Sequence, residues 1–192
     1  MAKRNVLLHI GPSPSATPRQ DDLAASTTLA SAGIVVPSVP AHLLTRADLE
    51  LRWAHQAAGL RRKDVEGAWS ATCRATYKAA TQHKADVVLS VPGLVAATKD
   101  QADLAVDCLH GMRVHLVVTS AADVDLTPWL DVLDRSSLVH RVQLDPVRTE
   151  DLAGCIVALA LEVESARVER KIAKWTARRH DLARRLRRDP AA

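Results

Sequence analysis

The chain predicts an α/β protein: a three-layer core around a mostly parallel sheet of about five strands, followed by a long basic C-terminal helix. Three observations predict it. Five short runs rich in Val, Leu and Ile punctuate the first three quarters of the chain, as buried parallel strands do. Helical patterns fill the intervals between them, which argues for βαβ units. After Asp145-Pro146, Gly154 is the only Gly or Pro before Asp189-Pro190. The domain reading is therefore a core over residues 1–148 and a helix over 149–192, whose first half packs on the core and whose second half projects as a basic arm.

Taken in order, Asn5 to Ile10 is the first strand, with Gly11 at its end. The segment Pro12 to Pro18 is a loop, and Arg19 to Ala32 is a helical stretch stopped by Gly33. Ile34 to Val36 reads as a second strand. Thr45-Arg46-Ala47-Asp48 opens the next helix, and Glu66 to Lys84 carries another. Asp86 to Ser90 is a third strand. Thr98-Lys99-Asp100-Gln101 caps a helix that runs to His110 and stops at Gly111. Arg113 to Thr119 and Val139 to Leu144 complete the five strands, and Thr149-Glu150-Asp151 caps the last helix. From Glu150 to Arg188 that helix would measure roughly 58 Å at about 1.5 Å per residue.

Size and composition narrow the class. With 192 residues, 47% hydrophobic and 25% charged, the chain can bury one sizeable core. The first apolar run is too short for a signal peptide and Leu152 to Val163 is too short to cross a bilayer, so the expected location is the cytoplasm, without a membrane. Cys73, Cys108 and Cys155 are far apart and form no CxxC pair, which points to buried free thiols. The net charge of +4 hides a segregation: Ser165 to Arg188 holds ten Lys or Arg against Glu169 and Asp181.

The first crossover resembles a phosphate cradle, because a buried strand aims its carboxyl end at a helix N-terminus. A working cradle adds glycines and a lysine. Here the candidates for an anion site are the hydroxyls of Ser13, Ser15 and Thr17 with Arg19, while Pro12, Pro14 and Pro18 remove backbone donors. The competing reading is a relic turn before a capped helix.

Residues 5–135 resemble the small bacterial, actinobacterial-type sulfotransferase-like proteins of the P-loop superfamily. Val6 to Gly11, Leu23-Ala24-Ala25, Leu29 to Pro37, Asp86 to Ser90 with Gly93-Leu94-Val95, and Arg113 to Thr119 leading to Trp129 carry the likeness. The resemblance implies sulfuryl transfer from 3′-phosphoadenosine 5′-phosphosulfate. It also implies a loop lysine, an arginine for the 3′-phosphate and a base after the strand that ends at Ser90. This chain has Ser13 to Thr17, Ser120-Ala121-Ala122-Asp123 and Val91-Pro92 at those three places. A fixed cation on the leaving oxygens is a large part of such catalysis, and neither Val91 nor Pro92 can accept a proton. The resemblance then implies a catalytically degenerate, truncated relative with no catalytic residue and no cofactor, acting as a binding or assembly module. The alternative is an active enzyme with a non-standard anion loop in which Arg19 and Thr17 substitute.

Among the remaining residues, His9 reads as a satisfied core histidine. His110 and His115 need not converge, and His42, His55, His83, His140 and His180 lack zinc-ligand spacing, so no metal is expected. Trp53, Trp69 and Tyr77 read as helix packing beside a solvated basic face. In the last helix Leu161, Val168, Ile172, Trp175, Leu182 and Leu186 recur at three, four or seven, with Ser165 and Arg179 interrupting the seam. The partner-binding set is Val168, Ile172, Trp175, Arg178, Arg179, Leu182, Arg184, Arg185 and Leu186. It would engage a protein partner or a second copy. A third reading is nonspecific nucleic-acid binding by the arginines.

Overall fold

The computed structural model describes residues 3–11, 18–119, 124–133, 138–143 and 148–188, with the side chains of 183 and 185–188 excepted. The chain runs β1 (Asn5–Ile10), α1 (Gln20–Ala24), α2 (Thr27–Ser31), α3 (Ala41–Leu51), α4 (Arg62–Val65), α5 (Ala68–His83), β2 (Val87–Ser90), a 3-10 turn (Pro92–Ala96), α6 (Lys99–Asp107), β3 (Arg113–Thr119), α7 (Thr127–Leu133), β4 (Val139–Val142) and α8 (Thr149–Arg188). It divides into two compact units, residues 1–157 and 158–192.

In the first unit the four strands form one parallel sheet in the order β2-β1-β3-β4. All six residues of β1 are buried. Side chains alternate across a strand, so Val6, Leu8, Ile10, Val87, Leu89, Val114, Leu116 and Val118 share one face, packed with Leu44, Leu51, Trp69, Leu109 and Trp129 from the helices. Leu7, His9, Val88, His115 and Val117 fall on the other face and are equally buried. Leu23, Leu29, Leu152 and Ile156 are also fully or almost fully buried there, outside the first cluster. Each such side chain contributes about 1.5–3 kcal/mol. The start of α8 is tied to this unit by Glu150, whose carboxylate accepts from Ser26 Oγ and Thr28 Oγ1. The Thr28 hydrogen bond holds the Glu150 carboxyl below the usual range.

The expected strand Ile34 to Val36 contributes only an isolated parallel bridge, Val35 to Val87. Val35 exchanges both bonds, its N–H with Asp86 and its carbonyl with Val88. Gly33 before it has φ +68 and Pro37 after it lacks an N–H, so the ladder cannot lengthen. The sheet among the described residues is thus four-stranded. The stretch Arg19 to Ala32 is likewise two short helices, because Ser26 caps the second through Leu29 N–H. α3 starts at Ala41, earlier than expected, and Thr45 lies inside it, its hydroxyl bonding back to Ala41 O.

α5 begins at Gly67 with φ +81 and its free N–H groups meet a side chain from α3: Glu50 accepts from Gly67 N and Trp69 N, each at 2.7 Å. A carboxylate there also complements the helix dipole. Glu50→Ala is expected to cost about 1–2 kcal/mol, read as a lower urea midpoint with unchanged slope; an unchanged midpoint would contradict the cap.

Candidate functional site

The sheet order reverses at β1: the chain goes from β1 to β2 on one side, then to β3 on the other. Ligands of open α/β sheets bind at the carboxyl ends beside such a switch point. Here those ends are Ile10-Gly11, Ser90 and Thr119. Ser13, Ser15 and Thr17, together with the loop positions 120–123, lie outside the described residues. Arg19 is described: it is exposed and precedes α1, and its backbone N–H donates to Asp22 at 2.9 Å. Asp21 and Asp22 therefore place two carboxylates in the helix's first turn, where an incoming anion would seek free N–H groups.

Behind this edge the polar atoms close on one another. His9 is fully buried, with Nδ1 2.9 Å from Ser90 Oγ and Nε2 3.0 Å from Thr119 Oγ1. Ser90 Oγ donates to Pro18 O at 3.3 Å, and Ser90 N–H donates to Gln20 Oε1 at 2.8 Å. Gln20 Nε2 donates to Pro37 O and Val88 O. His9 is thus the satisfied core histidine that the sequence suggests. Both ring nitrogens are engaged and burial lowers its pKa to about 4. Gly11 N–H and Val91 N–H are also spent, on Pro92 O and His9 O.

In front of it lies a cavity of about 410 Å³, lined by Arg19, Gln20, Thr45, Asp48, Ser90 and Gly93 among others. Its buried carboxylate, Asp48, is held by Arg52 through a two-pronged pair, Nε to Oδ1 at 2.8 Å and Nη2 to Oδ2. That hydrogen bond raises the Arg52 pKa further. Gly93 is required by this approach: a Cβ there would lie 2.5 Å from both carboxylate oxygens. The i,i+4 spacing of Asp48 and Arg52 is a pairing signal in the sequence; nothing local connects either to Gly93.

Other expectations divide. Trp69 is buried, but Trp53 is 69% exposed and Tyr77 is 54% exposed, so packing accounts for one of the three. Trp53 also has φ +55, where the turn ending α3 forces a bulky residue into the left-handed region. Cys73 is buried and its pKa is pushed up by burial, whereas Cys108 and Cys155 are only partly buried. His115 does meet a histidine, His140, at 3.4 Å between Nδ1 and Nε2 with stacked rings. Adjacent strands bring them together, which no sequence spacing announces. Among the described residues no group of three metal-ligating side chains could hold a metal ion. No helix among them is long and apolar enough to cross a membrane.

In the second unit the seam residues of α8 are exposed: Leu161 is 67% exposed, Ile172 60%, Trp175 74% and Leu182 60%, with Val168 also exposed. Arg178, Arg179 and Arg184 are exposed as well, and the side chains of Arg185 and Leu186 lie outside the described residues. Comparison with protein-family models, with curated proteins and with solved structures finds no match to this chain.

The geometry of His9 sets a pH dependence. The folded state holds it neutral to about pH 4, whereas an ordinary histidine protonates near 6.5. Between these values the unfolded state binds the extra proton, so stability is full above the window and falls as pH drops through it, by roughly 3 kcal/mol. Urea titrations from pH 7 to 4 should show this decline, and His9→Gln should flatten it; an identical slope in the variant would assign the decline elsewhere.

Proposed function

We propose that this protein is a binding or assembly module whose working surface is the last helix, on an α/β core that retains a nucleotide-binding architecture without its chemistry. The observation that carries the reading is the exposed heptad seam: Leu161, Val168, Ile172, Trp175 and Leu182 stand out of a 40-residue helix in one periodic line. Isolated apolar residues on a surface are ordinary, but five in helical register are the mark of a partner helix. Phosphate binding would use the arginines and leave this line without purpose, which makes nucleic acid the weaker reading of the same helix.

Loss of chemistry in the core rests on the resemblance to sulfotransferase-like proteins. It is supported by the absence of the loop lysine, of the 3′-phosphate arginine and of a base. Two carboxylates in the first turn of α1 work in the same direction. The second reading, an active sulfotransferase with a non-standard loop, is favoured by one feature, the presence of Arg19 in the lining of the 410 Å³ cavity.

Light scattering is expected to report a dimer for the full-length chain. Removing residues 165–192, or introducing Ile172→Glu with Trp175→Glu, should give a monomer. Losing two buried seam residues costs about 3 kcal/mol or more, over a hundred-fold in Kd. A full-length monomer at high concentration would end the assembly reading. Calorimetry with adenosine 3′,5′-bisphosphate should show no saturable binding; tight binding abolished by Arg19→Ala would instead establish the second reading.

A further inference from the structure

Resting on the assembly reading, we infer that the helix pairs with a second copy of this chain in antiparallel orientation, Ile172 of each copy packing against Trp175 of the other. In heptad terms Leu161, Val168, Trp175 and Leu182 occupy one seam position, and Ser165, Ile172 and Arg179 occupy the other.

A parallel pairing in register sets like against like. Arg179 would face Arg179 inside the seam, Ser165 would face Ser165, and Glu164 would flank Glu169 of the second copy. Two unpaired guanidinium groups in a closing interface carry a desolvation penalty with no compensating partner. The antiparallel pairing sets unlike against unlike: Ser165 meets Leu182, Val168 meets Arg179, and Ile172 meets Trp175 on each side of the dyad. Every polar seam residue then has an apolar neighbour. Arg179 can lay its methylene stem along Val168 while its head reaches water.

The charge pattern selects the same arrangement. In this register residues 158–169, with Glu162, Glu164 and Glu169 against Arg167, face the stretch from residue 178 of the second copy, where Arg178, Arg179 and Arg184 stand against Asp181; Arg170, Lys171 and Lys174 lie around the dyad and face their own counterparts. Reversing one helix lays the acidic stretch of each copy beside the basic stretch of the other, at both ends at once. The two ends are complementary to each other, so a second copy satisfies them without a foreign partner, and the antiparallel pairing confines like-charge contact to the middle, where a parallel pairing would spread it along the whole basic half. An anionic membrane or a nucleic acid would have to accept the three glutamates beside the same seam. The internal pair of Arg167 with Glu164, at 2.9 Å, is solvent-accessible and weak enough to rearrange.

The test is disulfide mapping on the full-length chain carrying Ser165→Cys and Leu182→Cys together, with wild type as the control for Cys73, Cys108 and Cys155. Both new thiols sit at exposed positions, so the core is untouched. Within one straight helix they are about 26 Å apart and cannot join. Mild oxidation should give covalent dimers linked 165 to 182, roughly a hundred-fold faster than in the Ile172→Glu, Trp175→Glu background, because pairing holds the thiols at high effective concentration. Linkages 165 to 165 and 182 to 182 would overturn this inference and leave the assembly reading standing. A scattering dimer with neither linkage would do the same. A chain that scatters as a monomer and forms no linkage would overturn both.

Discussion

Burial of β1 on both faces is the constraint from which the rest of the first unit follows. Its side chains have no access to water and its backbone is bonded to β2 on one side and β3 on the other. Any polar group on it must therefore be satisfied from within the protein. Asn5 meets this through Asp86, whose carboxylate takes both its backbone and side-chain N–H groups and so aligns the start of β1 with β2. His9 meets it through Ser90 and Thr119, joining three strand ends at the opposite edge. The sheet is in effect pinned at both ends by polar contacts and filled between them by apolar ones.

That satisfaction bears on what the carboxyl edge can do. A hydroxyl beside an imidazole suggests a nucleophile and its base, but here Ser90 also gives its proton direction to Pro18 O and its N–H to Gln20. His9 is held uncharged by burial, so the set reads as structural closure. The cavity in front keeps a charged pair, Asp48 with Arg52, that Gly93 admits at close range. Polar groups line the space, yet their donors and acceptors are mostly spent on each other.

α8 carries two different amphipathic surfaces in one continuous helix. Up to Val157 it belongs to the first unit, with Leu152, Ala153 and Ile156 fully buried and Glu150 bonded to α2. From Ala158 its apolar residues recur on a heptad and are exposed, and its charges divide into an acidic and then a basic stretch. In proteins most helical stability comes from packing of an amphipathic face rather than from propensity. Burial of this exposed seam against another helix is what the proposed pairing would add.

The sequence by itself determined what is local or periodic. Strand β1 and strand β3 were legible to the residue, because unbroken runs of Val, Leu and Ile need no long-range information to read as buried strands. The Thr98 cap with Gln101 and the heptad of the last helix were legible for the same reason. Chain-distant relations were decided only by tertiary structure. Whether Ile34 to Val36 extends the sheet depended on Pro37 and on a neighbour fifty residues away, and the result was one bridge. His115 met His140, and Asp48 met Gly93, because the crossovers bring them together. The candidate site was legible only as a strand, loop and helix crossover; its cavity, its buried carboxylate and its polar network arise from packing, which no spacing along the chain encodes.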